Sequence, residues 1–349
     1  MQMIDYLRPG LLFLTSRCSG NAASTRDSDR VVHTEQGATF RTRAPLRAGS
    51  LLSLFLTLVL VDSAHAKLSV VCTTPDIASI VFALTGDRAE IATLAKPTED
   101  PHFVDAKPSF ILKLNKADVL LEGGAELESG WLAPLLESAR NPKLAAGSPG
   151  RVSCAAGIEL LDVPTTLDRS RGDVHSKGNP HYLVDPMNAL KVAHTVAGAL
   201  SQLDPMNASF YEARLGQFKS RLESKMVEWE AALAPYKDQQ LVAYHNTWQY
   251  FARRFGLKSE LFLEPKPGIP PTPTHLAGVV AKMKAAQVRV IAVEPYQSRK
   301  TAERVAAQVG AVVVVDVAQY PGGVKGTEMD YVGLLEHLVK SFAQALSRR

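Results

Sequence analysis

Two rounds of strand–helix alternation, separated by one long helical pattern over residues 204–236, constrain this chain more than any other feature. In the first round LSVVCTTP (68–75), AEIATLAKP (89–97), ADVLLEGG (117–124) and RVSCAAGIELL (151–161) read as strands. DIASIVFALTG, PSFILKLNKA and ELESGWLAPLLESA supply helices between them. A helix over 185–203 follows, with Asp185 as N-cap and Pro186 in its first turn. In the second round LVAYH (241–245), SELFLEP (259–265), VRVIAVEP (288–295) and AVVVVDVA (311–318) are the strands. Helices again lie between them, and a last one runs through Leu346. Such alternation predicts an α/β chain of two lobes, each a mostly parallel four-stranded sheet with flanking helices. The pattern over 204–236 carries Phe210, Leu215, Phe218, Leu222, Met226 and Trp229 at helical spacing. At 1.5 Å per residue it reaches about 45 Å, long enough to join two lobes. The expected division is 67–203, the connecting helix 204–236, and 237–349. Ligands in such folds sit at the carboxyl ends of strands, which places a cleft between the lobes.

Residues 1–66 are set apart. Arg41, Arg43 and Arg47 precede the apolar run Leu51 to Val61, and Ala64-His65-Ala66 follows. That is the order of a secretory signal, with cleavage expected after Ala66 and export to the periplasm. The run is short for a membrane span, which needs about 20 residues; an uncleaved anchor is the other reading. The segment before it is long for a signal, so translation is expected to start downstream, near Leu46. Beyond residue 66 the chain holds 32 basic against 30 acidic residues. A body this close to neutral argues against nucleic acid or an anionic membrane as partner. Cys72 and Cys154 remain, as a disulfide or as two buried thiols.

A proline stands directly before a histidine twice, in TEDPHFVDAKPS (98–109) and in GNPHYLVDP (178–186). Proline restricts the backbone on both sides of it, so His102 and His181 are held by stiff chain. His245 ends a strand at the presumed cleft. Phe103, Tyr182 and Trp248 could form a dry collar around the three imidazoles. Singly, each histidine reads as ordinary packing; together they suggest a metal site assembled from distant segments. Asp316 and Glu294 each end an apolar strand, where a charge needs a cation, a salt bridge or a helix cap. Either could add oxygen. His175, beside Asp173 in a polar loop, reads as solvated or as a weak loading site. His194, His275 and His337 lie on helices and carry no such argument.

In order along the chain, DPHFVDAKPS, GNPHYLVDP, DPMNASFYEARL, AYHNTWQYFARRFGL, EPKPGIPPTPTHL and VVVVDVAQYPGG resemble the cluster A-I solute-binding proteins of ABC importers, which bind zinc or manganese. The resemblance implies metal held between two lobes by His102, His181, His245 and Asp316, with Asp316 preferred to Glu294. Manganese members tend to carry Glu at the third position, so His245 points to zinc. Three imidazoles and a carboxylate also suit Zn2+ in a closed tetrahedral shell, which carries an ion and does not catalyse. The loop before His181 is short where zinc members often have a long His-rich one, which leaves manganese or iron as alternatives. The expected function is a non-enzymatic, monomeric periplasmic protein that delivers zinc to an ABC permease and its ATPase. Its affinity should fall as pH drops through the imidazole range. A zinc hydrolase using Glu294 as general base, and a surface adhesin, are the rivals from other classes.

Overall fold

The computed structural model describes residues 67–165, 175–327 and 330–348. The signal-like segment and Asp173 lie outside these residues. The first lobe runs β1 (Leu68–Cys72), α1 (Pro75–Thr85), β2 (Ala89–Thr93), α2 (Pro108–Lys116), β3 (Val119–Glu122), α3 (Leu132–Ala139), β4 (Arg151–Ser153) and α4 (Pro186–Leu203). The long helix α5 spans Ala208–Leu233, with a 3-10 turn at each end, Pro205–Asn207 and Ala234–Tyr236. The second lobe runs β5 (Gln240–Ala243), α6 (Gln249–Phe255), β6 (Lys258–Phe262), α7 (Pro273–Ala285), β7 (Val290–Val293), α8 (Arg299–Val309), β8 (Val313–Asp316) and α9 (Tyr331–Ser347). The sheets have orders β2-β1-β3-β4 and β6-β5-β7-β8, and every pairing is parallel. The predicted two-lobe α/β architecture is therefore the observed one.

Each central strand is apolar on both faces, as covered parallel sheets require. In β1, Val70 and Cys72 enter the main core while Val71 enters an outer cluster with Phe110, Leu114 and Trp131. In β7, Val290 and Ala292 face the main core while Ile291 and Val293 face outward, toward Val279, Met283 and Val305. Local signals set the helix starts. Proline occupies the first turn of α1, α2, α4 and α7. Asp185 accepts from Met187 N at the head of α4, and Thr272 from His275 N at the head of α7. Gly256, with φ 70°, closes α6 in the left-handed region.

Most predicted elements are trimmed at their ends, and two are much shorter than expected. The helix expected from Glu126 begins only at Leu132. Ala125 and Glu126 are left-handed (φ 51° and 68°), because the chain wraps around the buried carboxylate of Glu128. That carboxylate accepts from Gly123 N (2.6 Å), Gly124 N (3.1 Å) and the Thr73 hydroxyl (2.6 Å). The strand expected over 151–161 ends at Ser153, and Gly157 turns the chain at φ 74°. Cys72 and Cys154 are both free and buried.

One continuous apolar core runs through both lobes, from Val70 and Leu121 past Tyr211, Leu222 and Trp229 of α5 to Leu241, Trp248 and Phe342. The long helix is pinned at both ends. Arg214 donates to Ala83 O in α1 (2.8 Å), and the Trp229 indole donates to Glu336 of α9 (2.7 Å). Helix α9 also reaches the first lobe, through Tyr331 N to Ser79 Oγ (2.8 Å) and Tyr331 OH to Leu183 O (2.6 Å). Among the described residues no helix is long and apolar enough to cross a membrane.

Candidate metal centre

His102, His181 and His245 come together at the carboxyl ends of the strands, between the lobes. One nitrogen from each lies within 4.8 Å of the others. His102 follows β2, in a turn where Asp100 Oδ1 accepts from His102 N (3.0 Å) and faces His102 Nδ1 (2.8 Å). Pro101 O is held by the Trp131 indole (2.9 Å), so the proline fixes this loop to the first lobe. His181 is buried, and its backbone N–H donates to Asn179 Oδ1 (2.9 Å). Asn179 in turn donates to Asn246 O (2.8 Å) and Asp162 Oδ2 (3.2 Å). His245 lies two residues past the end of β5.

The outward-facing nitrogen of each ring has an oxygen partner. Asp100 faces His102 Nδ1, Gln319 Oε1 faces His181 Nδ1 (2.8 Å), and Glu264 Oε1 makes a short contact with His245 Nδ1. Gln319 is itself oriented by donating to the Tyr296 hydroxyl (2.6 Å). An acceptor at Nδ1 selects the tautomer with the proton there, which leaves Nε2 with its lone pair. All three lone pairs are then available to one centre, an arrangement typical of metal-ligating histidines.

The distances fit an ion. His181 Nε2 and His245 Nε2 are 3.1 Å apart, as are His102 Nε2 and His175 Nε2. Two nitrogens bound tetrahedrally at about 2.05 Å would stand about 3.3 Å from each other. With both Nδ1 atoms protonated, neither Nε2 of the His181–His245 pair has a proton to donate. A cation between them removes that conflict.

Electrostatics separate the rings. Burial, reinforced by the neighbouring His102 and His245, holds His181 well below the usual imidazole range and so neutral. Burial and His102 likewise bring His175 down to about 4. Burial also disfavours charge on His245, but the hydrogen bond and charge of Glu264 outweigh it and raise its pKa. For Asp100, burial is offset by its hydrogen bond and attraction to His102, and the carboxyl titrates below its ordinary value. A cavity of about 350 Å³ opens beside the cluster, lined by Asp100, His102, Phe103, His245, Glu264 and Tyr296 among others.

Asp316 is not brought to the cluster. It is exposed and pairs with Arg299 of α8. Strand parity explains this: Val312 and Val314 pack on the outer face of the second sheet, and Asp316 continues that row. Glu294 has the opposite parity, in line with Val290 and Ala292, and points inward. It is 1% exposed, and neither carboxylate oxygen has a hydrogen-bond partner. Burial raises its pKa to about 7; Thr247 and His245 oppose the rise, although Thr247 makes no well-formed hydrogen bond to it. The aromatic collar is also not as expected. Trp248 packs in the core against Phe342 and Phe251, Tyr182 donates to Gly123 O, and only Phe103 lines the cavity. His194, His275 and His337 lie away from the cluster, His275 facing Phe262 O (3.0 Å).

The orphaned Glu294 predicts a pH effect. A carboxyl at about 7 when folded and 4.5 when free keeps its proton longer in the native state. Stability therefore falls as pH rises from 4.5 to 7 and levels off above, by up to about 3 kcal/mol. Glu294→Gln should remove this slope. Urea unfolding of chelator-treated protein at pH 5 and pH 8 measures it, and identical pH profiles for the two proteins would refute the assignment.

Sequence reasoning missed Asp100, Glu264 and Gln319. Asp100 stands two residues before His102 and Glu264 two residues past β6, and both were open to notice. Gln319 has no sequence signal, since a lone amide in a loop is ordinary.

Comparison with known proteins follows the same line. Residues 70–345 match the family model described as ZnuA, zinc-uptake complex component A, periplasmic. A manganese ABC transporter substrate-binding lipoprotein, PsaA of Streptococcus mitis, is 22% identical over 86% of this chain and 99% of its own length. An iron ABC transporter substrate-binding lipoprotein, MtsA of Streptococcus pyogenes serotype M1, is 24% identical over 88% and 99%. A crystal structure of ZnuA superposes with a TM-score of 0.69 at 25% identity, covering 81% of this chain and all of that one.

Proposed function

Since the chain belongs to the ZnuA family of metal-uptake components, we propose that it is a zinc-capture protein whose ion is held by His102, His181 and His245. At the coarser level it is a metal-binding subunit of an ABC transporter and not an enzyme. One observation carries the zinc reading: three imidazoles offer Nε2 to one point while Asp100, Gln319 and Glu264 hold their Nδ1 atoms. Nitrogen-rich shells favour borderline zinc, whereas manganese prefers more oxygen and higher coordination. Manganese and iron are the second reading, favoured by the names of the relatives. On our reading the protein works in the periplasm after cleavage at Ala66, acts as a monomer, and passes zinc to a permease driven by an ATPase.

Competitive titration of chelator-stripped protein with zinc and manganese tests this. One tight zinc equivalent, with manganese far weaker, is the expected result; tighter manganese would replace zinc as the cargo. In the same assay Glu264→Gln should weaken zinc binding by roughly 10–100-fold, the usual cost of losing an oxygen that orients a ligating histidine. Asp316→Ala should leave zinc binding unchanged.

A further inference from the structure

His175 stands beside the three-histidine cluster, with its Nε2 3.1 Å from His102 Nε2. The two rings are stacked, with centroids 5.1 Å apart and planes 28° from parallel. With His181, His245 and Pro267 it also lines a second cavity of about 110 Å³. Its backbone is anchored. Ser176 donates to both oxygens of Glu126, from its N–H and its hydroxyl, each at 2.5 Å. Gly178 N donates to His175 O (3.1 Å). Glu126 occupies a left-handed position, φ 68°, in the turn wrapped around Glu128. A strained residue from the first lobe thus clamps the segment that carries His175.

Among the described carboxylates the rival for the fourth position is Glu294, which is buried with neither oxygen hydrogen-bonded. Asp100 and Glu264 are engaged at Nδ1 atoms, and Asp316 pairs with Arg299. The ligand atoms within 4.8 Å of one another belong to His102, His181 and His245, with neither Glu294 nor His175 among them; His175 adjoins the group through its 3.1 Å approach to His102. Given the zinc-capture reading above, we propose that His175 is the fourth ligand, closing an all-imidazole shell, and that the Glu126–Ser176 clamp positions it. Four neutral nitrogens select zinc-like borderline ions over manganese more sharply than three nitrogens and a carboxylate would. The shell also carries the full positive charge of the cation, which the Asp100 and Glu264 carboxylates behind the rings partly offset.

Cobalt(II) is the probe, because its visible ligand-field spectrum reports coordination directly. Stripped protein would be titrated with cobalt and then displaced with zinc, comparing wild type, His175→Ala, His175→Asp, Glu126→Gln and His181→Ala. We expect one equivalent in wild type and a changed cobalt spectrum in His175→Ala, with zinc affinity lower by about 100-fold. His175→Asp should recover part of that loss and narrow the gap between zinc and manganese. Glu126→Gln should weaken binding about 10-fold with the wild-type spectrum retained, as expected of a positioning residue. If His175→Ala keeps both spectrum and affinity while His181→Ala loses them, the fourth-ligand proposal fails and the three-histidine reading stands. If His181→Ala also binds normally, the zinc-capture reading itself fails. A second, weaker equivalent removed only by His175→Ala would make His175 a separate site and overturn the proposal. His175→Asp, which keeps a polar side chain, serves should the alanine variant fold poorly.

Discussion

His181→Ala is expected to lower zinc affinity by at least about 100-fold. Closed four-ligand zinc sites hold roughly 10–16 kcal/mol of apparent binding free energy. A quarter of that is about 3 kcal/mol, or about two decades in Kd. His181 should reach or exceed that share. It is buried, neutral at ordinary pH, and locked on both sides, by Gln319 at Nδ1 and by Asn179 at its backbone N–H. Its removal therefore takes away a ring that needs no ordering before it binds. Competition against a chromophoric chelator gives the Kd, and circular dichroism confirms that the variant is folded. A folded variant with wild-type affinity would remove His181 from the ligand set.

Trp229→Ala is expected to destabilise the protein by about 3–5 kcal/mol, the usual cost of truncating a buried tryptophan. Trp229 is 2% exposed on α5, and its indole donates to Glu336 of α9. Glu336 also pairs with Lys340 and Lys225; the Lys340 hydrogen bond, the Trp229 hydrogen bond and the two ammonium charges hold its pKa down to about 2. The substitution thus leaves a cavity and takes a donor from a carboxylate. Because one apolar core serves both lobes, unfolding should remain a single transition moved to lower urea. Two separated transitions would mean that the lobes are independent and that α5 only tethers them.

The fold was legible because its central strands are apolar on both faces and most of its helices begin at Pro, Asp, Ser or Thr. Those signals are local, and the helix over 208–233 was visible from six apolar residues at helical spacing. The misread start of α3 has a non-local cause: Glu128 folds Gly123 and Gly124 back onto its carboxylate, and charge in a helical pattern does not announce that. The three histidines were legible from Pro-His pairs and from the end of a strand. The carboxylate choice failed on parity. Counting residues along β8 places Asp316 with Val312 and Val314 on the outer face, whereas Glu294 counts inward along β7. His175 was legible as a candidate, but its distance from the site depends on Glu126 reaching Ser176 across 50 residues.

Helix α9 supplies Tyr331 to the first lobe and Leu338, Phe342 and Leu346 to the shared core. Neither lobe completes its packing without them. The core is thus completed by contacts between segments far apart in sequence, so the lobes depend on one another to fold. A stop just before Tyr331 should leave a product that proteases degrade and that never assembles the histidine cluster.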